Sequence, residues 1–173
     1  YAGYGFCEAH AASFANLAYK TAYLAAHYPA EFFAALLSHQ PMGFYPPQTI
    51  ALEAKRRGIK LLPVDVNFSQ GDFFPQGKTI RLSLRQVKEM SQEGVAAILE
   101  ARREGPFTDL PDLVRRTNLP RNIVTNLILC GALDGLHPNR KALLWQLQRL
   151  PAGGLPWAAP LPQIEDFSPY QKF

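Results

Sequence analysis

Residues 84–136 read LRQVKEMSQEGVAAILEARREGPFTDLPDLVRRTNLPRNIVTNLILCGALDGL, and their punctuation decides the fold. Short apolar-periodic segments alternate with tight polar or glycine-containing turns, and arginines are spread throughout. Two segments have a helix–hairpin–helix rhythm. The first has a helix at Leu84–Lys88, a turn at Glu89–Gln92 and a helix at Glu93–Arg103. The second has a helix at Arg121–Leu129, a turn at Cys130–Ala132 and a further helix after His137. Such a unit frees backbone N–H groups at the turn and at the following helix start, where they can hold a phosphate. Flanking Lys and Arg add an attraction to nucleic-acid backbone that ignores sequence. The expected activity of this stretch is therefore binding to double-stranded DNA through its phosphates.

Working outward, Thr108 reads as the N-cap of a helix over Asp109–Arg116, and Asn118 as the N-cap of the next. A last helix is expected over His137–Leu150, with Leu143, Leu144 and Leu147 inward. Upstream, Ile59–Val66 and Thr79–Leu84 read as short strands separated by the turn glycines Gly71 and Gly77. Before them come three helices. The first runs from about Ala9 to Tyr28, with Phe14, Leu17, Thr21, Leu24 and Tyr28 on one face. Pro29–Ser38 is the second, with Phe32, Phe33, Leu36 and Leu37 as its core side. Gln48–Arg57 is the third, and its terminal Lys55, Arg56 and Arg57 suit the negative end of a helix dipole. An aromatic loop, Gln40–Pro47 (QPMGFYPP), joins the last two. Beyond Leu150, prolines and a Gly153–Gly154 pair mark a linker or strap. The class is mainly α, with a small β element between two helical parts.

The 173 residues carry a net charge of +4 that is unevenly placed. Residues 1–54 hold one lysine against three glutamates, a net of −2, whereas residues 55–149 hold 16 Lys/Arg against 9 Asp/Glu, a net of +7. The basic half suits an anionic partner, although a solvated helical surface explains it equally well. No apolar run approaches the roughly 20 residues that span a bilayer. Cys7 and Cys130 lack metal-ligand spacing and read as reduced thiols of a cytoplasmic protein, Cys130 as a small buried hydrophobe. The opening Tyr1, with no methionine before it, reads as the start of a piece of something longer.

The stretch YAGYGFCEAHAASFANLAYKTAYLAAHYPAEFFAALL resembles the fingers of the bacterial DNA polymerase III alpha subunits, the C-family polymerases. The resemblance continues through RRGIKLLPVDVN, GPFTDLPDLVRR, LILCGALDGL and NRKALL, in order and with matching spacing. The QPMGFYPP loop is similar to that of the error-prone, translesion paralogue. The resemblance implies that residues 1–58 are the end of the fingers, 59–83 a β connector, 84–150 a tandem helix–hairpin–helix domain and 151–173 a proline-rich linker. It implies primer–template duplex as partner and, in the parent protein, an incoming dNTP, Mg2+ and a sliding clamp or other polymerase subunits. The parent is then a nucleotidyltransferase. Its palm aspartates lie outside this chain, which by itself needs no cofactor and is expected to be inactive. The acids agree with this: none forms the close pair on a strand that two-metal phosphoryl transfer requires. Asp65, beside Pro63, reads as structural.

By the same resemblance Tyr4 and His10 face the nucleotide, Tyr4 by stacking and His10 by donating to a phosphate. Glu8 stands where the family commonly carries lysine, which removes a phosphate-friendly charge. From the segment's own chemistry, a core aromatic and a helix-start histidine are the favoured readings. The first hairpin reads Glu89-Met90-Ser91 where the family has Gly-hydrophobic-Gly, and a carboxylate at its mouth repels phosphate. Arg85, Lys88 and the Ser91 hydroxyl partly compensate. The second hairpin keeps Gly131, with Arg121, Arg140 and Lys141 nearby, and is the better phosphate site. Arg102, Arg103, Arg115 and Arg116 fit either a helix dipole or a DNA backbone. Gln163–Phe167 has the outline of a clamp-binding peptide, but Asp166 stands where such peptides prefer an apolar residue. Two other classes stay open. One is a helix–hairpin–helix glycosylase, for which Asp134 follows Gly131 but no base pocket is evident. The other is a protein-interaction scaffold or spacer.

Overall fold

A computed structural model describes residues 5, 7–150 and 161–169, so the readings of Tyr4 and of residues 151–160 fall outside the described residues. Within them run α1 (Glu8–His27), α2 (Pro29–Ser38), α3 (Pro47–Arg56), α4 (Gln92–Ala101), α5 (Leu110–Thr117), α6 (Arg121–Leu129) and α7 (Arg140–Arg149). Three short strands, β1 (Lys60–Leu62), β2 (Phe74–Gln76) and β3 (Thr79–Arg81), lie between α3 and α4. The chain is mainly α with a small β element.

Two apolar cores follow from this order. In the first, α2 lays Ala30, Phe33 and Ala34 against Ala54 of α3 and against Ile59 and Ile80 at the sheet. The alanines let the helices approach closely, and Phe32, Leu36 and Ile50 close the margin. Here β3 is the central strand: β1 pairs with it in parallel (Leu61 opposite Ile80) and β2 antiparallel (Pro75 opposite Ile80). β2 was not expected from the sequence because Pro75 interrupts it. At a sheet edge a missing N–H is harmless, and β2 is an edge. β1 is also shorter than the run Ile59–Val66, because Pro63 follows it and Asp65 starts a turn.

The second core is larger. Val87, Val95, Ile98, Leu113, Val124, Leu127, Leu133, Leu143 and Leu147 meet at its centre. The connector is tied to it by polar bonds. The Val66 amide donates to the Ala132 carbonyl at 2.9 Å. Asn67 reaches Phe107 in both directions: its Nδ2 donates to the Phe107 carbonyl (2.9 Å) and its Oδ1 accepts from the Phe107 amide (2.8 Å). Asp65 is structural, as its setting suggested: Oδ1 accepts from the Asn67 amide at 2.8 Å.

Several boundaries differ from expectation for identifiable reasons. Asp109, not Thr108, caps α5, accepting from the Asp112 amide at 2.8 Å. Asn118 does not start α6. It ends α5 in the left-handed region (φ 48°), a conformation Asn tolerates well, and Pro120 takes the position before α6. The first helix of the first hairpin is a single 3-10 turn, Leu84–Gln86. α4 stops at Ala101, and Arg102–Glu104 tighten into another. α7 starts at Arg140 because Asn139 caps it, Oδ1 accepting from the Ala142 amide at 2.9 Å. Cys130 is exposed rather than buried. The face expected to bury on α1 does not: α1 has no buried residue, and Phe14 (59% exposed) and Leu17 (58%) stand in the open.

Candidate nucleic-acid interface

The first hairpin keeps a glycine-like backbone without the glycine. Glu89 adopts φ 63°, a left-handed conformation that costs an L-residue about 1–2 kcal/mol. The turn is held from outside, by α6. Asn122 Nδ2 donates to the Glu89 carboxylate at 2.8 Å, and Asn126 Nδ2 donates to the Lys88 carbonyl at 2.9 Å. These asparagines are four residues apart, so they share one helix face. The sequence held that clue in the spacing of Asn122 and Asn126, but not their target.

Ser91 is occupied as the N-cap of α4, its Oγ accepting from the Gly94 amide at 3.1 Å. The Glu93 backbone N–H and then the Ser91 hydroxyl hold the Glu93 carboxyl below the usual range, so a carboxylate already sits at the start of α4. Lys88 is the exposed cation at this turn, 3.9 Å from the Glu89 carboxylate. Arg85 pairs with Asp72 at 2.7 Å. Beside the turn opens a cavity of about 470 Å³, bounded by Glu89, Ser91, Glu93, Asn118 and Asn122.

The second hairpin is closed by an arginine clamp. Gly131 is buried with φ 82°. The Arg140 guanidinium covers it, donating to both Asp134 oxygens (2.9 and 2.6 Å) and to the Leu129 carbonyl at the end of α6 (2.9 Å). A β-carbon at position 131 would overlap Arg140 Nη2 and lie 2.9 Å from Asp134 Oδ2. Arg140 is only 9% exposed. The hydrogen bonds it donates to Asp134 are the main reason its guanidinium holds its proton even more tightly than usual. Arg121 staples the end of α7, donating to the Gln148 and Leu150 carbonyls. Lys141, one residue into α7, lies with Nζ 5.1 Å from the Phe167 ring centroid.

The structure thus gives most of the expected cations internal partners. Arg102 donates to the Val66 and Ser69 carbonyls, and its partial burial lowers its affinity for a proton. Arg116 reaches the Gly105 and Ala101 carbonyls and the Asp112 carboxylate, over the ring of Phe107. Arg115 and Arg103 form surface pairs with Asp112 and Glu100. His10 is exposed on α1 with its ring 4.5 Å from that of Phe14, and no phosphate-binding group gathers around it among the described residues. Among those residues no group of three or more His, Cys, Asp or Glu side chains could hold a metal ion, and no helix is long and apolar enough to cross a membrane.

Two helical hairpins packed on one core, each turning through a left-handed residue, define a tandem helix–hairpin–helix module. In agreement, the helix–hairpin–helix motif family matches residues 58–143. A protein of Symbiobacterium thermophilum named error-prone DNA polymerase is 53% identical over 87% of this chain. Proteins of the same name from Bdellovibrio bacteriovorus and Brucella abortus are 39% and 42% identical over 95% and 86% of it. The chain spans 16%, 16% and 14% of those three relatives. The chain is thus homologous to one segment of these error-prone DNA polymerases, a segment that includes a helix–hairpin–helix region.

Proposed function

We propose that this chain grips primer–template duplex behind the active site of an error-prone DNA polymerase, through phosphate contacts that set register without reading sequence. The bracing of the two hairpins supports this reading best. Asn122 and Asn126 on α6, the first helix of the second hairpin, hold the turn of the first. Both turns are therefore presented by one packed unit, with Lys88 exposed on one and Lys141 beside the other. Polymerisation itself, with its dNTP and Mg2+, would belong to the rest of the parent protein. α1–α3 would be part of the fingers, with His10 toward the incoming nucleotide, and contact with a sliding clamp would be made elsewhere in the assembly.

The test is fluorescence anisotropy of labelled duplex and single-stranded DNA against the chain across a salt titration. Duplex is expected to bind more tightly than single strand and to weaken steeply with salt. Lys88→Ala should reduce the log–log salt slope by about one. Absence of binding to duplex at low salt, or equal binding to both forms, overturns the reading.

A further inference from the structure

Residues 161–169 return to the start of α7. Asn139 Nδ2 donates to the Ile164 carbonyl, and the Lys141 amide donates to Asp166 Oδ1 at 3.2 Å. The Lys141 ammonium lies over the Phe167 ring. A helix start offers unpaired N–H groups and the positive end of the helix dipole, and favours an anion. The anion here is the Asp166 carboxylate. Its charge also reaches Arg140, after the larger effects of Asp134 and of partial burial. In a helix–hairpin–helix unit this is the position a nucleic-acid phosphate would take, and the cation next to it is turned onto an aromatic ring.

We propose that segment 161–169 is an internal phosphate mimic that competes with duplex DNA for the start of α7. This rests on the reading that the second hairpin grips phosphate. A carboxylate carries the charge of a phosphodiester, and the two groups that hold the segment, the Lys141 amide on Asp166 and the Lys141 ammonium over the Phe167 ring, would pass to the DNA. Because these contacts are only part-buried, the segment is displaceable rather than a permanent block. DNA arriving at the second hairpin releases it, and its return favours dissociation. Composition alone marks the tail as a linker. The contact with α7 makes it a gate.

The experiment compares the full 173-residue chain with Asp166→Asn, which keeps the shape of the contact and removes its charge. Asp166→Asn is expected to bind labelled duplex about five- to tenfold more tightly at low salt, with a log–log salt slope steeper by about one. Lys141→Ala in the Asp166→Asn background should abolish that gain. In 1H–15N spectra the Lys141 amide resonance should shift in Asp166→Asn without DNA, and in the wild type on adding duplex. If Asp166→Asn binds like the wild type while Lys88→Ala still weakens binding, the competition is refuted and the duplex-binding reading stands. If neither the wild type nor Asp166→Asn binds duplex at low salt, both fall.

Discussion

Replacing Gly131 by alanine should be among the most damaging small changes in this chain, and the reason is Arg140. Two costs are expected. The backbone at φ 82° disfavours any L-residue, by about 1–2 kcal/mol. The new methyl also falls on the guanidinium, with Asp134 Oδ2 at 2.9 Å and Arg140 Cζ at 3.0 Å. An arginine tip could ordinarily swing aside. This one is held by both Asp134 oxygens and by the Leu129 carbonyl, so moving it disrupts charge-assisted hydrogen bonds worth about 1.5–3 kcal/mol. Gly131→Ala should therefore lose about 2.5–5 kcal/mol, read from urea unfolding followed by circular dichroism. In an Arg140→Ala background the overlap with the guanidinium is gone and the exposed Asp134 carboxylate, no longer held by it, can turn away, so the same change should cost only the backbone part, about 1–2 kcal/mol. The coupling between the two sites, from the double-mutant cycle, should then be about 1.5–3 kcal/mol. Equal costs in the two backgrounds would refute the clamp and leave backbone conformation as the whole explanation.

Three further outcomes are expected. Glu89→Gly relieves about 1 kcal/mol of left-handed strain and gives up an exposed hydrogen bond of about 0.5–1 kcal/mol, so the urea midpoint should hardly move. The same variant should bind duplex several-fold more tightly in anisotropy, having lost a carboxylate at the hairpin mouth. Burial alone would raise the Asp112 carboxyl, but hydrogen bonds from Arg115 and Arg116 and from the Thr108 amide outweigh it and hold it below the usual range. A carboxyl depressed in the folded state stabilises above its unfolded value of about 3.9 and loses that contribution as pH falls through the folded value, so Asp112→Asn should flatten the decline in urea midpoint below about pH 4. Removing residues 1–27 should cost the remaining chain less than about 0.5 kcal/mol in the same assay, because α1 supplies no buried side chain to either core.

Where local chemistry decides an element, the sequence was a sufficient guide. α2 and α6 occur at the expected bounds because Pro29 and the Leu119-Pro120 step set their starts. Legibility ended where one residue type has two uses. Asn118 can cap a helix start or close a helix end in the left-handed region, and only the position of Pro120 relative to it separates the two. Periodicity on α1 signals a face to be covered, but among the described residues only α2 packs closely on it. At the candidate site, the cations at 85, 121, 140 and 141 were visible as charges. Their partners were not, since Asp72, the Gln148 carbonyl, Asp134 and Phe167 are chosen by the fold. The fold likewise turns Asp166, 25 residues downstream, back onto the Lys141 amide.

The Asn122 and Asn126 contacts bear on how this region can be divided. They join residues 33 and 38 positions apart, and they add to the local bond that closes the turn at Lys88–Glu89, from the Met90 amide to the Val87 carbonyl at 3.1 Å. A peptide containing only the first hairpin would be expected to leave Glu89 in ordinary extended or helical conformations and to lose the turn. The two hairpins are therefore not interchangeable cassettes. In an ancestral or redesigned chain, a glycine at position 89 would make the first hairpin self-sufficient and release α6 to vary. With glutamate there, the two asparagines become the inherited condition for the turn, and exchanging either hairpin with a homologue should succeed only when α6 travels with it.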